Sequence, residues 1–230
     1  LVRSERSLLS DVSLLVEVIC DVVDGEDGMR RNTALVIDER GSLLGTYSKC
    51  HLPEEEGFWE TSHYGEGDEF TIFEQFAMPL GVQICSDNNR PEGCHILAAL
   101  GAEVIVNPRA TEAATYARWR HAFIANAWTS GAYVLSVNRP APEGGVLLGG
   151  PSIAVAPNGE VIAEGTDPVM VVDVKRSAIE TARAKYPGYL PVRADLYARA
   201  WTLIAERRDR RLDGYPWRYD DRLSPPGPSV

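Results

Sequence analysis

A cysteine at the end of an apolar segment is the first candidate for chemistry in this sequence. Cys85 directly follows the apolar run 80–84 and precedes a polar loop that leads into a helical pattern. In α/β sheets, sites form at the carboxyl ends of strands, and the backbone amides that follow such a strand can lower the pKa of a thiol and hold an oxyanion. The position therefore suits a nucleophile. The alternative is that Cys85 is a small buried hydrophobe, as most free cysteines are.

A lysine and a run of acids could act with this thiol. Lys49 stands after a β-rich segment and before the acidic, aromatic segment 53–68, which contains Glu56 and Glu60. A cation and a carboxylate placed around one thiol would perturb pKa values, which is typical of active sites. Taken singly, however, a lysine next to a loop and a run of glutamates are ordinary solvated surface groups.

These residues belong to an ordered series of short motifs. The series comprises YSKCHLP at 47–53, Glu60 seven residues before Gly67, GVQICSD at 81–87, GAEVIVNP at 101–108, WR at 119–120 with Asn126, YVLSVN at 133–138, and GGPS at 149–152 before PNGE at 157–160. Over residues 14–197 the chain resembles the nitrilase superfamily of carbon-nitrogen hydrolases. Several motifs in the correct order make this resemblance specific.

The resemblance implies a fold and a catalytic set. The fold is an α/β, αββα sandwich that pairs with a second sandwich to form four layers. On the matching positions, Cys85 is the nucleophile, Lys49 stabilises the oxyanion together with the backbone amide of Ser86, and Glu60 is the second active-site glutamate, with Glu56 as the other candidate. The implied chemistry is thiolate attack on an amide or nitrile carbon, followed by a thioester that water hydrolyses.

The general-base glutamate of the family has no counterpart here. In the family it precedes the segment that corresponds to residues 14–23, whereas this sequence begins shortly before that segment. Neither Glu5, in a weak helical pattern, nor Glu17, inside a predicted strand, matches the motif. We therefore expect either that an upstream segment is absent from this chain or that the base has been lost.

The residue after the cysteine bears on the substrate. Nitrilases tend to have tryptophan there, whereas this chain has Ser86. The resemblance thus favours a linear amide or an N-carbamoyl compound, with nitriles, or a non-catalytic binding protein on the same scaffold, as alternatives. Ser86, Trp59 beside Glu60, and Asn107 at the end of the next strand complete the predicted substrate-binding set.

Two arginines are candidates for contacting an anionic group of the substrate. Arg90 follows the cysteine by five residues and could bind a carboxylate through two hydrogen bonds, or pair with Glu92. Arg109 leaves the next strand on the same side as Cys85. The alternative role for Arg109 is a structural ion pair with Glu112 or Asp87.

The elements that must position these residues alternate between strand and helix, which is the α/β pattern. A weak helical pattern over 3–13 leads into a strand over 14–23, and 53–68 is predicted to be a long ordered loop. The other predicted strands are 32–38, 42–47, 70–76, 80–84, 103–106, 132–137, 153–156, 160–164 and 169–174, and the other helices are 91–100, 115–130 and 175–185. We expect a hydrolase domain over 1–206 and a C-terminal tail over 207–230.

Composition limits the partners and the compartment. The 230 residues carry a formal net charge of −10, which argues against nucleic acid, and no apolar run is long enough for a membrane helix. Four cysteines without a paired C-x-x-C pattern predict reduced thiols, a cytoplasmic protein and no zinc. The family resemblance in turn implies a homodimer or higher homo-oligomer that acts on a small amide-like substrate without a metal or cofactor.

Overall fold

The computed structural model describes residues 2–4, 21–24, 28–38, 40–55, 58–139 and 147–206. The strands, in chain order, are β1 (Val2–Ser4), β2 (Asp21–Asp24), β3 (Arg30–Ile37), β4 (Leu43–Ser48), β5 (Glu54–Glu55), β6 (Phe58–Trp59), β7 (Ile72–Phe73), β8 (Leu80–Val82), β9 (Val104–Arg109), β10 (Tyr133–Asn138), β11 (Ser152–Val155), β12 (Val161–Gly165) and β13 (Val172–Val174). The helices are α1 (Pro91–Leu100), α2 (Tyr116–Ser130), α3 (Arg176–Ala184) and α4 (Ala194–Glu206).

Two sheets organise the described strands. A six-stranded sheet has the order β12-β11-β10-β9-β8-β7, and a three-stranded sheet has the order β2-β3-β4. In the larger sheet β8, β9 and β10 run parallel, whereas β7, β11 and β12 pair antiparallel at its two sides. Parallel neighbours need crossover connections, and α1 and α2 provide them between β8 and β9 and between β9 and β10.

The central strands are apolar on both faces because each face packs against a different layer. On β9, Ile105 belongs to a cluster with Leu97 of α1 and Phe123 of α2. Val104 and Val106, the residues on either side of Ile105, point to the opposite face. They pack in a second cluster that includes Val36 of the three-stranded sheet. This alternation follows from the two-residue period of a strand. The described residues thus form a helix layer, a six-stranded sheet and a second sheet.

Local sequence explains where α1 begins and ends. Pro91 occupies the first helical turn, where a missing N–H costs nothing, and Gly101 ends the helix with a φ of 117°. A side chain at Gly101 would be strained in that left-handed conformation. The boundaries predicted for this helix are therefore confirmed, and they fix the segment between Cys85 and β9.

Three predicted elements need correction. The pattern over 3–13 predicts a helix, but its described residues, 3 and 4, belong to the strand Val2–Ser4. This strand runs parallel to β13, a partner about 170 residues away that local pattern cannot reveal. The predicted loop 53–68 contains a short hairpin of β5 and β6. The strand predicted over 70–76 is only Ile72–Phe73. Residues 5–20, and with them Glu5 and Glu17, lie outside the described residues.

The chain divides into two compact units, Leu1–Leu190 and Pro191–Val230. The second unit contains α4, on which Tyr197, Trp201 and Leu203 are exposed. The predicted tail 207–230 lies outside the described residues, and the domain boundary at 206 stays a prediction. Among the helices that the structure describes, each is too short or too polar to cross a membrane.

Candidate active site

The carboxyl ends of the parallel strands place several polar side chains at one edge of the six-stranded sheet. Cys85 follows β8, Asn107 and Arg109 stand near the end of β9, and Asn138 ends β10. The register pairs Asn107 with Ser136 and Arg109 with Asn138. This edge is where ligands bind in open α/β sheets. Topology alone therefore brings Cys85, Asn107 and Arg109 to the same edge, as predicted.

The backbone at Cys85 is unusual. Its φ is 48°, and among the described residues it is the one non-glycine residue with a positive φ. The amide of Asn107 donates hydrogen bonds to the carbonyl oxygens of Gln83 and Cys85, at 3.2 and 3.3 Å. The Oγ of Ser136 in turn donates to the Asn107 carbonyl, at 2.8 Å. Asn107 thus fixes the backbone around Cys85 through its side-chain amide, while its predicted contact with substrate stays a prediction.

Opposing effects act on the Cys85 thiol. Burial raises its pKa, because the charged thiolate loses water, and the Lys49 ammonium and the backbone N–H groups of Ala110 and Ser86 lower it. The balance leaves the pKa above its ordinary value. The same ammonium and amides are the groups that would stabilise an oxyanion formed by attack of this sulfur.

Lys49 and Glu60 form a close ion pair. The Lys49 ammonium lies 2.6 and 2.8 Å from the two carboxylate oxygens of Glu60, and the Lys49 side chain is 1% exposed. The amide of Asn32 is 3.5 Å from the same carboxylate. The structure thus brings together the lysine and the glutamate that the family resemblance assigned, whereas Glu56, the other candidate, lies outside the described residues.

The backbone around Lys49 is held from two sides. Its N–H donates to the carbonyl oxygen of Asn32 on β3, at 2.9 Å, and its own carbonyl accepts from the N–H of Gly67, at 2.8 Å. A Cβ atom at Gly67 would overlap the carbonyl group of Ser48. Gly67 is therefore required by close backbone approach, which places the end of the acidic loop directly against Lys49.

Asp87 organises the site, although its residue type and position in the sequence suggest only a possible ion pair with Arg109. Its carboxylate is fully buried. One oxygen accepts the N–H groups of Cys50 and His51, and the other accepts the N–H of Ile84 and the hydroxyl of Tyr47. These partners are up to 40 residues away and mostly backbone amides, so residue types give no signal for them.

Arg109 is buried in a network without a carboxylate. Its three guanidinium nitrogens donate to Ser136, Thr111 and the carbonyl of Pro151, and in the described part of the chain it has no ion pair with Glu112 or Asp87. The faces of three aromatic rings surround the guanidinium, with centroids 5.3–6.0 Å from its carbon: Tyr116, Trp119 and Phe123. Burial lowers the pKa of Arg109 to about 10.

The remaining predicted binding residues have different surroundings. The Ser86 hydroxyl donates to the carbonyl of His51, so its side chain joins the two loops of the site. Trp59 is 52% exposed and immediately precedes Glu60. Arg90 is exposed at the start of α1. Their contacts with substrate stay predictions. In the described residues, no group of three or more His, Cys, Asp or Glu side chains is arranged to hold a metal ion.

A family model for carbon-nitrogen hydrolases matches residues 15–184. The chain belongs to the carbon-nitrogen hydrolase family. Within this family it is similar to N-carbamoylputrescine amidase of Arabidopsis thaliana, at 27% identity over 72% of this chain and 62% of that protein. It is also similar to omega-amidase of Homo sapiens, at 30% identity over 77% of this chain and 67% of that protein.

A solved structure extends the likeness to three dimensions. The amidase of Nesterenkonia AN1, described as a member of the nitrilase superfamily, matches at a TM-score of 0.62 and 26% identity, covering 78% of this chain and 66% of that one. The predicted α/β sandwich fold and the membership of the nitrilase superfamily are thereby confirmed. This carbon-nitrogen hydrolase chain spans between 62% and 65% of the length of four N-carbamoylputrescine amidases that it matches.

Proposed function

We propose that the protein hydrolyses a linear amide or an N-carbamoyl compound through a thioester on Cys85. The observation that carries this proposal is the convergence of one cation and two backbone N–H groups on a single half-buried thiol at the carboxyl end of β8. The Lys49 ammonium and the amides of Ser86 and Ala110 all act on Cys85. Such a set would stabilise negative charge on an oxygen bound next to the sulfur.

The chemistry follows from the positions of these groups. The Cys85 sulfur forms a bond to the carbonyl carbon, and the π electrons move onto the oxygen, where Lys49 and the amides stabilise them. The carbon-nitrogen bond then breaks, and the nitrogen leaves as ammonia or an amine with the proton that the thiol gave up. Water attacks the resulting thioester, releases the carboxylic or carbamic acid, and returns the proton to the sulfur.

Glu60 supports this chemistry through Lys49. A buried ammonium without a partner would tend to move toward water. The two-oxygen contact with Glu60, at 2.6 and 2.8 Å, opposes that movement. We therefore assign Glu60 the role of holding Lys49 in place, and we assign stabilisation of the developing oxyanion to Lys49 and the amides.

The substrate class rests on the relatives. Proteins named for acting on N-carbamoylputrescine and as amidases are similar to this chain. One homologous amidase has been crystallised with butyramide, at 25% identity to this chain. Butyramide and N-carbamoylputrescine are therefore suitable test compounds, and butyronitrile is the matched nitrile.

The test measures products and the covalent intermediate together. The full chain is incubated with each compound, ammonia and acid release are measured, and intact protein is analysed by mass spectrometry for a butyryl adduct on Cys85. We expect an adduct and ammonia with an amide, no adduct in Cys85→Ala, and an unchanged adduct in the control Cys94→Ala, in which a buried core thiol is removed.

Other outcomes select the alternatives. Product from butyronitrile but not from either amide compound would identify a nitrilase. A folded protein that forms no adduct with any of the three compounds and releases no product from them would contradict the proposed hydrolase and favour a binding protein on the same scaffold.

A further inference from the structure

Asp87 joins the two loops that carry Lys49 and Cys85. On the lysine side, one carboxylate oxygen accepts the N–H of Cys50 at 3.2 Å and the N–H of His51 at 2.8 Å. On the cysteine side, the other oxygen accepts the N–H of Ile84 at 3.0 Å. The carboxylate thus binds the residue directly after Lys49 and the residue directly before Cys85.

Two side chains reinforce this junction. The hydroxyl of Tyr47, at the end of β4, donates to Asp87 at 2.8 Å, and Nδ1 of His51 lies 2.9 Å from the same carboxylate. The Ser86 hydroxyl also donates to the His51 carbonyl. These three side-chain contacts each connect the segment 47–51 with the segment 84–87.

The junction requires a carboxylate rather than an amide. Both oxygens of Asp87 face donors, and a carboxylate is the side chain of this size that only accepts. In asparagine, an NH2 group would face either the Ile84 N–H or the N–H groups of Cys50 and His51, so a buried donor would lose its acceptor. The cost of burying the charge is offset by the hydrogen bonds of the junction.

We propose that Asp87 is a positioning residue that sets the Lys49 ammonium against the Cys85 thiol. The role of Asp87 in catalysis rests on the proposed function. Its effect on the thiol does not, because Asp87 controls how strongly the Lys49 ammonium acts on the Cys85 sulfur whether or not the protein turns over a substrate. The reactivity of the Cys85 thiol toward iodoacetamide reports that influence without any turnover, because the thiolate is the reacting form.

The experiment measures iodoacetamide alkylation of Cys85 across a pH series, quantified by peptide mass spectrometry so that the other cysteines are excluded. We expect Asp87→Asn to slow alkylation and to shift its pH midpoint upward, toward that of Lys49→Met. Asp87→Glu keeps the charge but moves it by one methylene, so we expect the same direction of change. Asp173→Asn, an exposed aspartate on β13, is the matched control and should leave the profile unchanged.

A double-mutant cycle separates positioning from a general loss of structure. If Asp87 acts through Lys49, Asp87→Asn should have little further effect on Cys85 alkylation in the Lys49→Met background. Equal slowing in both backgrounds would overturn the proposal, and so would a wild-type profile in Asp87→Asn. If Asp87→Asn does not fold, Tyr47→Phe decides, since it removes one of the hydrogen bonds: slower alkylation supports the proposal and an unchanged profile overturns it.

Turnover then distinguishes the two proposals. With an active amide substrate, we expect Asp87→Asn to lower kcat by about 100-fold with little change in KM, the scale on which a misplacement of about 1 Å acts. Asp87-dependent alkylation in a wild-type chain that hydrolyses nothing would leave the positioning role standing and the proposed function contradicted.

Discussion

The two ends of the six-stranded sheet differ in how their polar side chains are surrounded. At the carboxyl ends of the parallel strands, Lys49, Asp87, Asn107 and Arg109 are each at most 5% exposed, and each has hydrogen-bond partners. At the other end, where β10 begins at Tyr133, lies an open cavity of about 580 Å³. Its rim includes the exposed side chains of Trp128 and Tyr186.

The difference shows that the open cavity is not where this protein has fixed its buried polar groups. Burying a charge costs free energy unless partners are fixed around it, and such fixed partners are what catalysis by preorganised groups requires. At the Cys85 end, several charged or polar side chains are buried in this way with hydrogen-bond partners. The cavity end has lysines, Lys175 and Lys185, on an open surface, where water screens their charge.

The largest expected effect contrasts two lysines, one at each end. Lys49→Met should lower turnover of an active substrate by about 10²–10³-fold, the scale for removing one oxyanion-stabilising group. It should also raise the pH midpoint of Cys85 alkylation. Because burial already raises the thiol pKa, the wild-type midpoint of alkylation should itself lie above the ordinary value for a cysteine. Loss of the Lys49 cation should move this midpoint further up.

Lys185→Met, at the cavity, is the control and should change neither turnover nor the alkylation midpoint. If its effect equalled that of Lys49→Met, the proposed difference between the two ends of the sheet would be wrong.

A second prediction contrasts two ion pairs of different burial. Glu60→Gln removes the charged partner of the 1% exposed Lys49, and we expect it to lower the free energy of unfolding by about 3–5 kcal/mol. Glu164→Gln weakens the half-exposed pair with Arg120 and should cost only about 0.2–1 kcal/mol. Urea denaturation measures both. Similar values for the two variants would show that the Lys49 pair is solvated.

The third prediction concerns backbone approach at the same end. Gly67→Ala places a methyl group against the Ser48 carbonyl, and we expect a loss of about 1–3 kcal/mol in the free energy of unfolding. Gly165→Ala is the control, because nothing lies within 4 Å of a Cβ there, and it should change stability by less than about 0.5 kcal/mol. Thermal unfolding compares them; a neutral Gly67→Ala would mean that the loop closes on Lys49 less tightly than described.

The sequence was sufficient where local pattern and chain order decide the structure. The helix Pro91–Leu100, the hairpin of β3 and β4, and the placing of Cys85 at a strand end all follow from periodicity and from Gly and Pro signals. The partnership of Lys49 with Glu60 came from the family resemblance instead, because an acidic loop has no period that selects one glutamate over its neighbours.

Long-range polar contacts could not be predicted from residue types. Asp87 is bound mainly by backbone N–H groups, which every residue except proline has, so its partners Cys50 and His51 leave no mark in the sequence. The surroundings of Arg109 could not be predicted either, and its contact with substrate stays a prediction. An arginine at a strand end usually reaches solvent or an acid, whereas here aromatic rings and neutral oxygens enclose it. Only the assembled fold shows that enclosure.

The left-handed backbone conformation at Cys85 means that the proposed nucleophile lowers the stability of the folded protein. A φ of 48° costs a residue with a Cβ atom about 1 kcal/mol or more, and glycine avoids most of that cost. Cys85→Gly should therefore be a more thermostable inactive protein than Cys85→Ala. The backbone conformation at this position favours glycine. The difference in thermal stability between Cys85→Gly and Cys85→Ala therefore indicates how much stability the protein loses by having a side chain, and with it a thiol, at the strand end.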